Sequence, residues 1–425
     1  MKLKVVIICF VLCLIFFTLI LFLNLEEKKQ NIHKNGLPYD SLHWQNSRHL
    51  ARLSNGTFYM FYCNGTYPNN YIDSARTFDN GVTWRHWQVL TDTDWNYCPS
   101  VIPDTHDNLH IIWQGDSDTM KIYYNQFNCT NGTWSIKFAD ADDYGKMIST
   151  GAGNSFQPTM DIDGQNKLWA VWYVDLGGAK YRDEYAYSTD LGGTWTAAGW
   201  LDTDDIVAKQ SLGMFAFDDN SNGAYVWTGT HAGSANYVIR MKKYWHANDT
   251  WNKYTINVSL PLGYESNQKF ASVVCDNKEN FHIAWWDIAN DDVYYRMYNY
   301  TNQSFTGITK IDDGGMPSLS IDDQNQVYMV YEDSPIDQID SHFYTNKIFF
   351  VYGTYGSWSS PIQGSRTTAD NLVDPCAHYS RFPVNPLSGL PVNRPTTGFV
   401  YIYLNDTQNK IVFKAENVTF SKSEM

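Results

Sequence analysis

The run NFHIAW, Asn280 to Trp285, sets Phe, Ile and Trp on alternate positions, follows the polar segment DNKE and ends in a large aromatic ring. Alternation with a period of two is the pattern of a strand that buries one face. Six further runs have the same form: TFYMFY (57–62), NLHIIW (108–113), KLWAVW (167–172), GAYVW (223–227), QVYMVY (326–331) and GFVYIY (398–403). Their terminal aromatics, Tyr62, Trp113, Trp172, Trp227, Trp285, Tyr331 and Tyr403, stand 46 to 72 residues apart. One unit is therefore repeated seven times, and no long run of helical period interrupts the series.

Each unit holds more than one strand. An upstream run such as PTMDID (158–163) or PSLSID (317–322) enters the aligned strand through an Asp-rich turn, and runs such as KIYYNQF and DVYYRMYN follow it. The fold class this predicts is all-β, a seven-bladed β-propeller of four-stranded antiparallel blades over residues 44–425. Closure has a physical cause: a lone blade cannot cover both of its apolar faces, whereas blades packed face to face around a ring bury them and leave few open edges. The 16 Trp and 30 Tyr supply side chains wide enough to fill the gaps between blades.

Ahead of the repeats, Val5 to Leu23 is an apolar run of 19 residues broken only by Thr18. That length spans a bilayer core as a helix. Lys2 and Lys4 precede it, which puts residues 1–4 in the cytoplasm, 5–23 in the membrane as an uncleaved signal anchor, 24–43 in a polar stalk and the rest outside the cell. Export agrees with ten N-x-Ser/Thr sequons, at Asn55, Asn64, Asn128, Asn131, Asn248, Asn257, Asn299, Asn302, Asn405 and Asn417. The net charge of −14 disfavours nucleic acid and anionic lipid surfaces. Five cysteines lie beyond the apolar run, without the CxxC spacing of a zinc site, so no metal and no cofactor is expected. Cys63 and Cys98 fall at strand ends on the same face of adjacent units, and a disulfide between them is expected.

Two octets recur inside the units, TFDNGVTW (77–84) and STDLGGTW (188–195). In each, Asp79 or Asp190 is placed to accept backbone N–H bonds across a turn, Gly81 or Gly192 to take a positive φ, and Trp84 or Trp195 to insert between sheets. These residues resemble the Asp-box, or BNR, repeat family, whose pattern is matched at both sites, with remnants at NGTW (131–134), NDTW (248–251) and GSW (356–358). The resemblance implies a propeller and gives the boxes a structural role.

The sialidase-like members of that superfamily imply a further set of residues. SRHLARLSNGTFYMFY (47–62) resembles their first arginine strand, which makes Arg48 a candidate clamp for a substrate carboxylate. AHYS (377–380) resembles the segment with their Tyr nucleophile, Tyr379, with Glu265 as its activating carboxylate and Asp73 as the nearest candidate acid. Other clamp arginines find no matching motif: Arg240 and Arg296 sit mid-strand, and Arg366 and Arg381 stand outside any recognisable pattern.

In a propeller the loops between second and third strands share one face with the loops between blades. Asp116, Asp175, Asp287, Glu332 and Asp333 end second strands on that face, His231 holds a comparable place, and Trp286, Trp95 and Tyr97 add aromatic surface. Acids beside aromatics suit sugar hydroxyls, a divalent cation or a basic protein patch, although such Asp residues also cap turns. Most sequons map to the opposite face. The expected function is a membrane-anchored extracellular module that binds a glycan or a surface protein, with a sialidase-like glycoside hydrolase as the alternative.

Overall fold

The computed structural model describes residues 48–363, apart from 67–68, 80, 82, 92–94, 116–118, 137–144, 151–152, 178–180, 197–198, 202–211, 231–235, 260–266, 323, 334–336, 340–341 and 345–346; it also describes Gln30–Asn31, Leu42 and the strands Asn371–Ala377, Thr397–Leu404 and Lys410–Glu416. Six antiparallel sheets follow one another along the main span. The first comprises Leu50–Arg52, Phe58–Thr66, Asn69–Thr77 and Arg85–Val89; the third Asn154–Ile162, Leu168–Asp175, Tyr181–Ser188 and Gly199–Trp200. In the other four, two short pieces share the outer position on the third strand. The long strands of the second are Tyr97–Pro103, Leu109–Gly115 and Lys121–Asn128; of the fourth, Met214–Phe217, Gly223–Thr230 and Tyr237–Trp245. The fifth has Gln268–Cys275, Asn280–Asp287 and Asp292–Asn299; the sixth has Gly315–Ile321, Val327–Glu332 and Ile348–Thr354.

A further sheet is built from Asn371–Ala377, Thr397–Leu404 and Lys410–Glu416, and it takes its outer strand from the other end of the chain. Gln30 lies opposite Phe413 and Asn31 opposite Val412. These two residues, read from sequence as stalk, instead cover an edge that would otherwise present open hydrogen-bonding groups. The one helical turn among the described residues is the 3-10 turn His246–Asn248, and none of those residues forms a helix long and apolar enough to cross a membrane. The apolar run Val5–Leu23 lies outside them.

The recurring aromatic is explained by packing. Trp113, Trp172, Trp227, Trp285 and Tyr331 all stand in the second halves of second strands, all are buried, and each lies in the core between its own sheet and the preceding one. Trp172, for example, sits among Ile112 and Ile122 of the second sheet and Met160 and Ala170 of its own. A strand with period two turns every other side chain to the same neighbour, so a large ring at a fixed register fills the same gap in each repeat.

The two octets fasten the outer margins of these cores. In the second, the Ser188 hydroxyl donates to Asp190 Oδ1 at 2.8 Å, and the Thr194 backbone N–H and hydroxyl donate to the two Asp190 carboxylate oxygens at 2.7 Å each. Thr77, Asp79 and Thr83 repeat the arrangement in the first. Gly81 and Gly192 have φ of 84° and 92°. Any side chain on Gly192 would strike the hydroxyl of Tyr124, which donates to the Leu191 carbonyl at 3.0 Å. Trp195 packs edge-on against Tyr124 of the preceding sheet, with centroids 5.0 Å apart. The remnant turns keep this part of the plan: Trp134 stacks on Trp87 at 5.8 Å, Trp251 meets Trp169 at 5.9 Å and Trp358 meets Tyr295 at 4.9 Å, each in the preceding sheet.

Asp190 is exposed, and its carboxyl is held down at about 2 by the Thr194 backbone N–H first, then by the Thr194 and Ser188 hydroxyls. A depressed folded value means stability that is present above the ordinary value of 3.8 and is lost as pH falls towards 2. Asp190→Ala is expected to cost roughly 1–2 kcal/mol at neutral pH through lost turn hydrogen bonds, and to flatten stability against pH between those two values. Urea titrations at several pH values measure both. Wild-type stability, neutral and acid, would show that the turn does not depend on this carboxylate.

Candidate functional site

The two ends of the sheets differ in chemistry. At one end lie the turns from first to second strands; in the first sheet Asn55 Oδ1 accepts the Thr57 N–H at 2.8 Å, and in the second to sixth an aspartate closes the turn. Asp104 Oδ1 accepts the N–H groups of His106 and Asn108 at 2.8 Å each; Asp163, Asp218, Asp276 and Asp322 do the same for their own turns. In two units a buried histidine joins in. His110 lies 3.4 Å from Asp104 Oδ2 and 2.8 Å from the Tyr124 hydroxyl, and His282 lies 3.3 Å from Asp276 and 2.7 Å from Tyr295. An Asp–His–hydroxyl line has the outline of a nucleophilic triad. Here both histidines and both tyrosines are buried, and Tyr124 gives its proton to a backbone carbonyl, so the line ties one sheet to the next.

The opposite end, where first strands begin and second strands finish, is built on a repeated bulge. Register shifts interrupt the first strands at Tyr97/Ser100, Phe156/Thr159, Lys269/Ser272 and Gly315/Ser318. The residue inside each has a left-handed backbone: Cys98 and Gln157 at φ 50°, Phe270 at 56° and Met316 at 52°. Pro99, Pro158, Ala271 and Pro317 come next. A bulge leaves an N–H outside the ladder, which suits proline, and four non-glycine residues in this conformation each store about 1 kcal/mol or more. The bulge re-aims the side chains around it. Leu212, Phe270 and Met316 turn inwards and enclose Trp286, and Gly315 leaves the space that the Trp286 ring occupies.

The expected site residues are dispersed by this geometry. Trp286 is fully buried and offers no ligand surface, a correction to the sequence reading. Asp287 is also buried and caps its own loop, accepting from Ala289 N–H and Asn290 Nδ2 at 3.1 Å each. Glu332 is buried, and Asp333 pairs with Lys347 at 3.2 Å. Tyr97 donates to Asn70 Oδ1 at 2.8 Å, and Trp95 takes a left-handed backbone at φ 47°. Asp175 stays part-exposed, with Oδ1 accepting the Gly177 N–H at 2.8 Å. Asp116, His231, Glu265, Arg366, Tyr379 and Arg381 lie outside the described residues.

The described half of the sialidase-like set is occupied elsewhere. Arg48 is buried, with Nη1 3.2 Å from Asp161 of the third sheet and Nη2 donating to the Phe215 carbonyl of the fourth at 2.6 Å. Asp73 is enclosed by the Tyr62 hydroxyl at 3.2 Å, Asn64 Nδ2 at 3.0 Å and His86 Nε2 at 2.8 Å. Burial, then the charge of Asp73, raises Tyr62 far above the usual phenol range. Arg240 and Arg296 stand in third strands, and Arg296 donates to the carbonyls of Thr306 and Val258.

The expected disulfide is absent. Cys63 and Cys98 each keep a thiol. Cys63 donates to the Asn96 carbonyl at 3.5 Å, whereas the bulge carries Cys98 next to Tyr173 of the third sheet. Of the sequons, Asn55, Asn131, Asn248 and Asn302 are exposed, at the turns of the Asp-capped end. Asn128 and Asn257 are half-buried, Asn64 and Asn299 spend their amide N–H groups on Asp73 and Asn280, and Asn405 and Asn417 lie outside the described residues. No group of His, Cys, Asp and Glu placed to hold a metal occurs among the described residues.

What the bulged end does assemble was not visible in any local motif. Phe156 stacks on Tyr173, centroids 5.2 Å apart, and Tyr173 meets Tyr181 edge-on at 5.8 Å. Asp175 pairs with Tyr181 across the strands, on the same face of the third sheet as Tyr173. Tyr237, at the start of the third strand of the fourth sheet, carries the Lys269 ammonium 4.4 Å from its ring centroid. Burial, then the neighbouring Tyr181 hydroxyl, raises Tyr237. Burial lowers Lys269. All six residues are part-exposed. The arrangement offers flat apolar rings, a cation and a carboxylate on one rim.

No family model and no curated protein matches the chain. Solved structures match it in fold. A polysaccharide lyase, an ulvan lyase bound to -[GlcA(1-4)Rha3S]-, gives a TM-score of 0.57 at 11% identity and covers 91% of this chain and 95% of its own. The GH93 alpha-L-arabinofuranosidase of Fusarium graminearum with arabinobiose gives 0.51 at 15% identity, over 72% of this chain and 93% of its own. Both are β-propellers, and the chain shares their fold.

Proposed function

We propose that the chain is a seven-bladed β-propeller, with Gln30–Asn31 completing the seventh blade, held at the cell surface by Val5–Leu23 and binding glycans on its bulged end. The observation that supports glycan binding is the contrast between the ends. One is consumed by Asp-closed turns and carries the exposed sequons; the other presents part-exposed Phe156, Tyr173, Tyr181 and Tyr237 beside Asp175. Aromatic faces beside a hydrogen-bonding carboxylate suit the alternating apolar and hydroxyl faces of a sugar. The fold neighbours, a polysaccharide lyase and a glycosidase, support the same ligand class.

A second reading, a glycan-active enzyme, draws on those neighbours alone. Its sialidase-like form needs Arg48 open to a substrate carboxylate, and Arg48 is spent on Asp161. The purified full-length protein is expected to retain a subset of glycans on an array and to release nothing from a fluorogenic sialoside. An array without retained glycans would overturn the binding reading. Sialoside hydrolysis abolished by Tyr379→Phe would establish the enzyme in its place.

A further inference from the structure

We infer that the rim of the third, fourth and fifth sheets is a subsite for an acidic sugar residue, with Phe156, Tyr173, Tyr181 and Tyr237 taking the sugar faces and Lys269 pairing with a carboxylate or sulfate ester. The inference rests on the glycan-binding reading and adds the charge of the ligand.

Lys269 carries the argument. It stands immediately before the bulge of its first strand, where the equivalent residues are Tyr97, Phe156 and Gly315. The fold therefore asks for no cation at this position. Two part-buried lysines are neutralised from within, Lys167 by Asp249 at 3.1 Å and Lys347 by Asp333 at 3.2 Å. Lys269 has only the Tyr237 ring, and no carboxylate of the described residues reaches it. Lys243, the other lysine whose pKa burial alone lowers, is enclosed by the rings of Trp245, Tyr298 and Tyr300, whereas Lys269 has one ring beside it and stays part-exposed on the rim. Its desolvation cost is recovered when an external anion arrives. The neighbouring geometry suits a sugar: the Phe156–Tyr173–Tyr181 face leads to Tyr237, and Asp175 Oδ2 remains for a hydroxyl. The overall charge of −14 opposes indiscriminate uptake of polyanions, so a preference for an acidic glycan would have to be local.

The test compares four probes on the full-length protein: oligogalacturonate and its methyl ester, dextran sulfate and dextran. At least one acidic probe is expected to bind about tenfold or more tighter than its neutral partner, the scale of a charge-assisted hydrogen bond. The pair that shows the ratio identifies carboxylate or sulfate as the group. Lys269→Gln should collapse the ratio and Lys269→Arg should keep it; Lys269→Met, which preserves the buried stem, replaces Gln if that variant fails to fold. Equal binding of acidic and neutral probes, acidic probes that do not bind, or a ratio untouched by loss of the ammonium would overturn the inference. Retention of neutral glycans on the array in those cases would leave the glycan-binding reading standing, whereas an empty array would remove both.

Discussion

Arg48→Ala is expected to destabilise the protein by about 3–5 kcal/mol, the cost of leaving a buried charge without its partner. Asp161 is that charge: it lies in the first strand of the third sheet, 3.2 Å from Nη1, and both side chains are almost wholly buried. The same guanidinium binds the Phe215 carbonyl, and the Arg48 backbone N–H donates to Ser100 Oγ at 3.3 Å, so one residue links four sheets. A urea unfolding midpoint measures the loss. Replacing both charges, Arg48→Met with Asp161→Leu, should recover part of it, because no charge is then left buried without its counter-charge, although the Phe215 carbonyl still loses a donor. Full stability of Arg48→Ala together with loss of glycan retention would instead make Arg48 part of the contact surface.

Trp172→Ala should cost about 3–5 kcal/mol, the range for truncating a large buried ring. The ring fills the core between the second and third sheets, and its Nε1 donates to Glu184 Oε2 at 2.8 Å. Glu184 is itself buried and also accepts from Thr150 at 2.6 Å. Truncation therefore opens a cavity and takes a donor from a buried carboxylate. Trp172→Phe separates the two effects: it keeps most of the volume and should lose about 1–3 kcal/mol for the missing hydrogen bond. If alanine cost no more than phenylalanine, the sheets would not depend on these rings for their spacing.

The repeat was legible because its signal is local. A run that ends in Trp172 or Trp285 shows its period within six residues, and the Asp190 turn closes within eight. Arg48 was read as a donor to a substrate carboxylate, whereas its guanidinium is spent inside the protein. The carboxylate that meets it, Asp161, stands in another sheet, beyond the reach of any local pattern. The disulfide failed for a related reason. Cys63 and Cys98 share an end of adjacent sheets, yet a one-residue bulge with a left-handed backbone turns Cys98 towards Tyr173. Bulges reverse the facing of a side chain without changing its place in the chain. Trp286, expected at the surface, is interior because Leu212, Phe270 and Met316 close over it and Gly315 leaves room for its ring, while Tyr173, Tyr181, Tyr237 and Lys269 meet on a rim that no spacing announces.

The repeated bulge has an evolutionary consequence. The residue in front of it is Tyr97 in one sheet, Phe156 in the next, Lys269 in another and Gly315 in the last of the four, while the φ of the residue behind it stays between 50° and 56°. The backbone thus tolerates a ring, a cation or nothing at all at an address that faces the same end of the molecule. Selection can retune recognition one sheet at a time through such interchangeable sockets, and the drift of one leaves the others intact. Duplicated units would then diverge in what they touch long before they diverge in how they fold.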